Sequence, residues 1–110
     1  MDESTTVAQL KKMNWDFQEA RGWLSFHKPK HLAMSIAIEA AELMEHFQWL
    51  DGSDSETYLL DPDNRHQVSD ELADVLIYCL VFANVTDIDI SEAIHAKMAR
   101  NEGRFPLPQQ

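Results

Sequence analysis

Two short segments share one arrangement of acids: Glu39-Ala40-Ala41-Glu42 and, 32 positions later, Glu71-Leu72-Ala73-Asp74. Each sets two carboxylates three residues apart inside an apolar run, and on a helix positions i and i+3 share a face. Acids in apolar surroundings are costly unless something positive pairs with them. Two such pairs facing each other make an oxygen-rich cage for a hard divalent cation, with Glu39, Glu42, Glu71 and Asp74 as its ligands. The rival explanation is structural salt bridging, but too few Lys or Arg lie nearby in sequence to pair four acids. All-oxygen ligation favours Mg²⁺, with Mn²⁺ as the alternative, over zinc, which prefers His or Cys. A di-iron carboxylate site needs Glu-x-x-His on two helices. Neither acid pair supplies it, because His46 follows Glu42 by four positions and no His follows Glu71 within that helix.

The residues around the acids are less specific. Trp49 and Tyr78 lie on or near the acid stripes, at +10 from Glu39 and +7 from Glu71. Their rings either complete the core or flank a metal–phosphate site and sandwich a nucleobase. His27, His31, His46 and His66 read as surface or capping residues, and Cys79 as packing. Glu45 is either a solvated acid or a helper beside the cage.

The elements that must position these groups read as all-α. A first helix starts near Thr5 or Thr6, both capable N-caps, and runs to about Gly22 with Leu10, Phe17 and Ala20 on one stripe. His27 to His31 reads as a turn around Pro29. A second helix extends from about His31 to Trp49. Its core stripe is Ile36, Ala40, Leu43, Phe47 and Leu50, and a second stripe of Glu39, Glu42, His46 and Trp49 borders it. Asp51 to Asp61, with Gly52 and a Ser/Asp cluster, reads as a loop. Asp61-Pro62 signals a helix start that continues to about Val85. From Leu72 to Ala83 that helix is apolar nearly all round, so it is central or meets another subunit. Asp89 or Ser91 caps a last helix ending near Gly103, before a tail marked by Pro106 and Pro108. Four helices with short connections predict a four-helix bundle, one domain over 1–110 with a helical core of about 5–103.

Composition narrows the classes. A chain of 110 residues is long enough for a modest core. A net charge of −10 argues against binding nucleic-acid backbones. It leaves room for a small polyanion that arrives with metal ions. Lys28 and Lys30, and Lys97, Arg100 and Arg104, form two local basic patches that either face solvent or meet phosphate oxygens. No apolar run spans a membrane, the acidic N-terminus does not resemble a signal peptide, and the single Cys79 fits a reducing compartment, so cytoplasmic residence is the expectation.

Glu39-Ala40-Ala41-Glu42 followed by Glu71-Leu72-Ala73-Asp74-Val75-Leu76-Ile77-Tyr78 resembles the E-x-x-E…E-x-x-D signature of the MazG-like all-α nucleotide pyrophosphohydrolases, most nearly their dCTP pyrophosphatase branch. The likeness runs from about Trp23 to Pro106. It includes Phe26-His27-Lys28-Pro29, the Phe47-Gln48-Trp49 end of the second helix, and the Lys97-to-Asn101 run with Arg104-Phe105-Pro106. The resemblance implies that Glu39, Glu42, Glu71 and Asp74 bind Mg²⁺. It implies further that Trp23, His27, Trp49 and Tyr78 help enclose base and sugar, with Lys97, Asn101 and Arg104 on the nucleotide. It also implies a homodimer or a dimer of dimers (a homotetramer), with sites built from more than one subunit. Asn14 and Phe105 depart from the His and Tyr that some relatives carry, which leaves base preference open.

The reaction expected on this resemblance is hydrolysis of a nucleoside triphosphate between the α and β phosphorus, giving monophosphate and pyrophosphate. Glu42 is the first candidate to deprotonate the attacking water and Glu45 the second. Lys97, Arg100, Arg104 and Lys28 are candidates to stabilise the leaving pyrophosphate. Two alternatives remain: a phosphoribosyl-ATP pyrophosphatase-like activity, and a non-enzymatic acidic helical module that binds another protein.

Overall fold

Capping chemistry sets where each helix begins in the computed structural model, which describes residues 1–109. Helix α1 (Val7–Ala20) starts from a capping box. The Gln9 amide N–H donates to Thr6 Oγ1 at 3.1 Å, and the Thr6 N–H donates to Gln9 Oε1 at 2.8 Å, so two otherwise orphaned donors are satisfied reciprocally. The helix gives way at Gly22, whose φ of +67° is one that a side chain would resist. A single 3₁₀ turn, Leu24–Phe26, leads into α2 (Pro29–Glu45).

Pro29 is the first residue of α2 rather than the centre of a turn. At that position its missing N–H costs nothing and its fixed φ suits the helix, so the helix starts two residues earlier than the sequence reading placed it. It also stops earlier, at Glu45, and Phe47 to Trp49 fall in the turn that follows. The segment expected to be a loop holds a short helix, α3 (Gly52–Tyr58). Ser and Asp side chains favour turns locally, but Tyr58 packs edge-on against Phe47 at 5.6 Å and closes the segment onto the end of α2. The described residues therefore form five α-helices rather than four.

Helix α4 (Pro62–Thr86) begins as expected: Asp61 Oδ1 accepts from the Asp63 and Asn64 amides at 2.9 and 3.3 Å, with Pro62 at the first position. It is the element on which α2 and α1 pack. It ends at Asp87, held in the left-handed region at φ +57°. Two long-range hydrogen bonds fasten α1 there: Asn84 Nδ2 donates to the Lys11 carbonyl at 2.8 Å, and Lys11 Nζ donates to the Ile88 carbonyl at 3.0 Å. Asp89 caps α5 (Ile90–Arg104) by accepting from the Glu92 amide at 2.8 Å.

Burial is thin. Among the described residues only Leu32, Val81 and Ala83 form a fully buried apolar core, joined by the polar Gln18. Leu72, Leu76 and Ile77 on α4 and Ile94 and Met98 on α5 remain exposed. The radius of gyration is 17.1 Å, against about 13 Å for a compact domain of this length. No helix among the described residues is long and apolar enough to cross a membrane.

Candidate metal centre

The packing of α2 on α4 brings the two acid motifs together. One carboxylate oxygen from each of Glu39, Glu42 and Glu71 lies within 4.8 Å of the other two. The i, i+3 spacing places Glu39 and Glu42 on one face of α2, as expected, and that face meets the stripe of α4 that carries Glu71.

The electrostatics are those of an anionic cluster in which the carboxylates repel one another. Glu39 has its carboxyl pushed up, first by burial, then by the neighbouring Glu42, and further by the charges of Asp74 and Glu71. Glu71 is raised in the same way, by burial first, then by Glu42 and Asp74, while His46 opposes the shift. Glu71 Oε2 is shut off from solvent and has no hydrogen-bond partner among the described residues. A carboxylate oxygen in that situation needs either a proton or a cation. Three carboxylates converging around one orphaned oxygen fit a hard divalent ion, since they supply charge and oxygen donors without nitrogen or sulfur. The residues present therefore suit Mg²⁺ or Mn²⁺.

Asp74 is less intimate than its motif suggests. It is exposed and lies outside the group of three, although its charge acts on both Glu39 and Glu71. Its side chain is one methylene shorter than that of Glu71, so equal spacing does not give equal reach. Glu45, the last residue of α2, is exposed and apart from the group.

The remaining site residues lie on several elements of the chain. Tyr78 is half-buried on α4, two turns beyond Glu71. Trp49 is 88% exposed in the turn after α2. Trp23 lies at the start of the 3₁₀ turn with its ring edge-on to Phe17 at 5.8 Å. His27 is bound through Nε2 to the side chain of the buried Gln18, which ties it to α1. Lys97, Asn101 and Arg104 sit on α5, where Arg104 lies over the Phe105 ring at 5.1 Å. None of the cations of α5 is among the charges that act on Glu39 or Glu71.

His46, on the acid stripe by its spacing and read as a surface or capping residue, gains one contact that the sequence does not show. It caps α2 on the acid stripe, and its Nδ1 lies 2.8 Å from the Tyr58 hydroxyl. Its position at +7 from Glu39 was the available signal; the contact to Tyr58, 12 residues on, has no sequence signature.

Comparison with known proteins gives a consistent picture. The MazG-like family matches residues 34–110. Mouse dCTP pyrophosphatase 1 is 31% identical over 102 residues, covering 93% of this chain and 60% of that protein. The human dCTP pyrophosphatase 1 is 32% identical over 101 residues, covering 92% and 59%. This chain thus spans about 60% of the length of the curated relatives it matches. The crystal structure of a pyrophosphatase from Archaeoglobus fulgidus superposes with a TM-score of 0.83 at 44% identity, over 91% of this chain and 92% of that one.

Proposed function

The chain belongs to the MazG-like family, and from that premise we propose that it is a nucleotide pyrophosphohydrolase that cleaves nucleoside triphosphates between the α and β phosphorus. The observation that carries the reading is the Glu39–Glu42–Glu71 cluster with its orphaned Glu71 oxygen. The names of the similar proteins, dCTP pyrophosphatase 1 and a pyrophosphatase, point to the same bond, and the first points to dCTP as the favoured substrate.

Glu39, Glu42 and Glu71 hold Mg²⁺, or Mn²⁺, with Asp74 completing the charge around it. The bound ion supplies neutralisation of the phosphate chain and a lowered pKa for attacking water. Without it, an acidic cluster on a protein of net charge −10 repels a triphosphate. Glu42, between Glu39 and Glu71, accepts the proton of the attacking water; Glu45, exposed at the helix end, is the second choice. Water adds at the α phosphorus as the bond to the β-phosphate oxygen breaks, releasing monophosphate and pyrophosphate.

Trp23, His27, Trp49 and Tyr78 enclose base and sugar, and Asn101, Lys97 and Arg104 bind the polyphosphate end. The exposed apolar residues of α4 and α5 and the large radius of gyration support assembly as a homodimer or homotetramer whose sites draw on more than one subunit.

The test is pyrophosphate release from the common ribo- and deoxyribonucleoside triphosphates, with Mg²⁺ and with EDTA. Mg²⁺-dependent release that favours dCTP is the expected result. No release from any of them refutes the reading and redirects attention to phosphoribosyl-ATP or to protein partners.

A further inference from the structure

Gln18 is the one buried polar residue among those described, and it holds two others in place. Its backbone carbonyl accepts the Trp23 N–H at 3.0 Å, and its side-chain Oε1 accepts from His27 Nε2. An oxygen facing the ring suits both the Nε2–H tautomer and the imidazolium, whereas a reversed carboxamide suits only a neutral ring bare at Nε2. With Oε1 engaged, the Gln18 amide nitrogen has no partner among the described residues. It still reaches solvent, because Glu71 Oε2 is the one side-chain atom among them that is both shut off and unpartnered. Gln18 lines a cavity of about 230 Å³ between α1 and α4, together with Met13, Asn14, Phe17 and Ile77. The other carboxamide there, Asn14, already donates through Nδ2 to the Leu10 carbonyl at 2.9 Å. Phe17 carries the Trp23 ring edge-on at 5.8 Å. Ile77 follows Asp74 by three positions on α4, so the cavity lies about one helical turn from the acid stripe.

We infer that Gln18 is a specificity-determining residue: its carboxamide, oriented by His27, presents an N–H donor to the nucleobase and favours a base with an unprotonated ring nitrogen on its pairing edge. Cytosine offers such an acceptor at N3, whereas uracil and thymine carry a hydrogen there and meet the amide donor to donor. This rests on the nucleotide-binding reading proposed above. It gives a preference for cytosine over uracil a source in one side chain of α1. A donor forced against a donor in an apolar cavity loses about tenfold or more in affinity.

The experiment compares dCTP with dUTP by kcat/KM for pyrophosphate release, and dCMP with dUMP by calorimetric binding to the metal-free full chain. The His27 ring nitrogens are read by ¹⁵N NMR. In the unsubstituted protein the cytosine nucleotide should be favoured about tenfold or more in both comparisons, with a proton on His27 Nε2. Gln18→Glu keeps an acceptor for His27 and replaces the donor by a carboxylate oxygen, so it should reverse the order and favour dUTP and dUMP. Gln18→Met, similar in length and without a polar group, should bring the two bases within about threefold. His27→Ala, which frees the carboxamide to turn, should do the same. A purely structural Gln18 would lower the melting point and weaken both nucleotides alike, with their ratio kept. If neither Gln18 variant folds, the ratio in His27→Ala and the tautomer in the unsubstituted chain decide the matter. No preference for cytosine in the unsubstituted chain, a ratio unchanged in Gln18→Glu or His27→Ala, or a proton on Nδ1 with none on Nε2 overturns the inference and leaves the hydrolase reading intact. Reversed monophosphate binding in Gln18→Glu with no triphosphate hydrolysed by the unsubstituted chain overturns the hydrolase reading and leaves this one standing. Neither hydrolysis nor binding of any of the four nucleotides overturns both.

Discussion

Replacing Trp49 with alanine separates a substrate-holding aromatic from a core one, because the structure leaves this ring almost bare. At 88% exposed, Trp49 takes little apolar surface out of water on folding of the chain. Truncation should therefore change stability by no more than about 0.5 kcal/mol, which is a melting shift of about 2–4 °C for a chain of this size. A base stacked on an aromatic ring is worth about 1–3 kcal/mol, or about 5- to 150-fold in affinity. If Trp49 encloses the base, Trp49→Ala raises KM by that factor and leaves kcat within about threefold. The assay is steady-state pyrophosphate release with dCTP, paired with a melting curve at two protein concentrations. An unchanged KM across all nucleotides refutes a role for the ring in base binding. A melting point that falls by about 10 °C, and more at the lower concentration, refutes the premise that the ring is free. Trp49 would then be a subunit contact.

Three further outcomes follow from the acid cluster and the core. Glu71→Gln removes one donor from the group of three and should cut turnover at least about a hundredfold; the metal-free melting point at neutral pH should hold or rise, because a like charge has gone. For pH, the folded-state values of Glu39 and Glu71 lie above the ordinary 4.5, so between 4.5 and those raised values the folded chain binds more protons than the unfolded one. Their contribution is most favourable below 4.5 and is lost as pH rises through the folded values. Melting of the metal-free protein should accordingly show Glu71→Gln above the unsubstituted chain near pH 7.5, with the gap closing by about pH 4.5; a gap that widens on acidification refutes the assignment. Leu32, 2% exposed, should lose about 3–5 kcal/mol on truncation to alanine, measured by urea unfolding, whereas a loss under about 1 kcal/mol would mean that the site collapses freely.

The helical period made the site legible, and tertiary contact hid the rest. Glu39, Glu42 and Glu71 emerge from spacing alone, since an i, i+3 pair on each of two apolar helices has few ways to face anything but its counterpart. The same spacing puts Asp74 on that stripe, where its charge acts on Glu39 and Glu71 although its carboxylate lies outside the group of three. Pro29 signals both a turn and a first helical residue, and local sequence does not choose between them. The α3 segment is composed of turn-forming residues and becomes helical through Tyr58, whose partners His46 and Phe47 belong to another element. His46 was visible as a member of the acid stripe. Its contact with the Tyr58 hydroxyl, from a different element, cannot be read from residue order.

The energetics of the chain and its chemistry meet at one contact. Packing of α2 on α4 provides much of what little burial exists, and that same packing forces Glu39, Glu42 and Glu71 together. Like charges in that position work against the helix pair, and among the described residues only three apolar ones are fully buried to offset them. A divalent cation reverses the sign of the contact, turning mutual repulsion into shared ligation. Metal binding and helix docking are then linked: whatever loosens α2 from α4 also disperses the ligands, and whatever neutralises the ligands strengthens the docking. On this reading Mg²⁺ does more for the chain than serve one step of a reaction. A divalent ion held there would complete the contact between α2 and α4 and offset the repulsion among the three carboxylates.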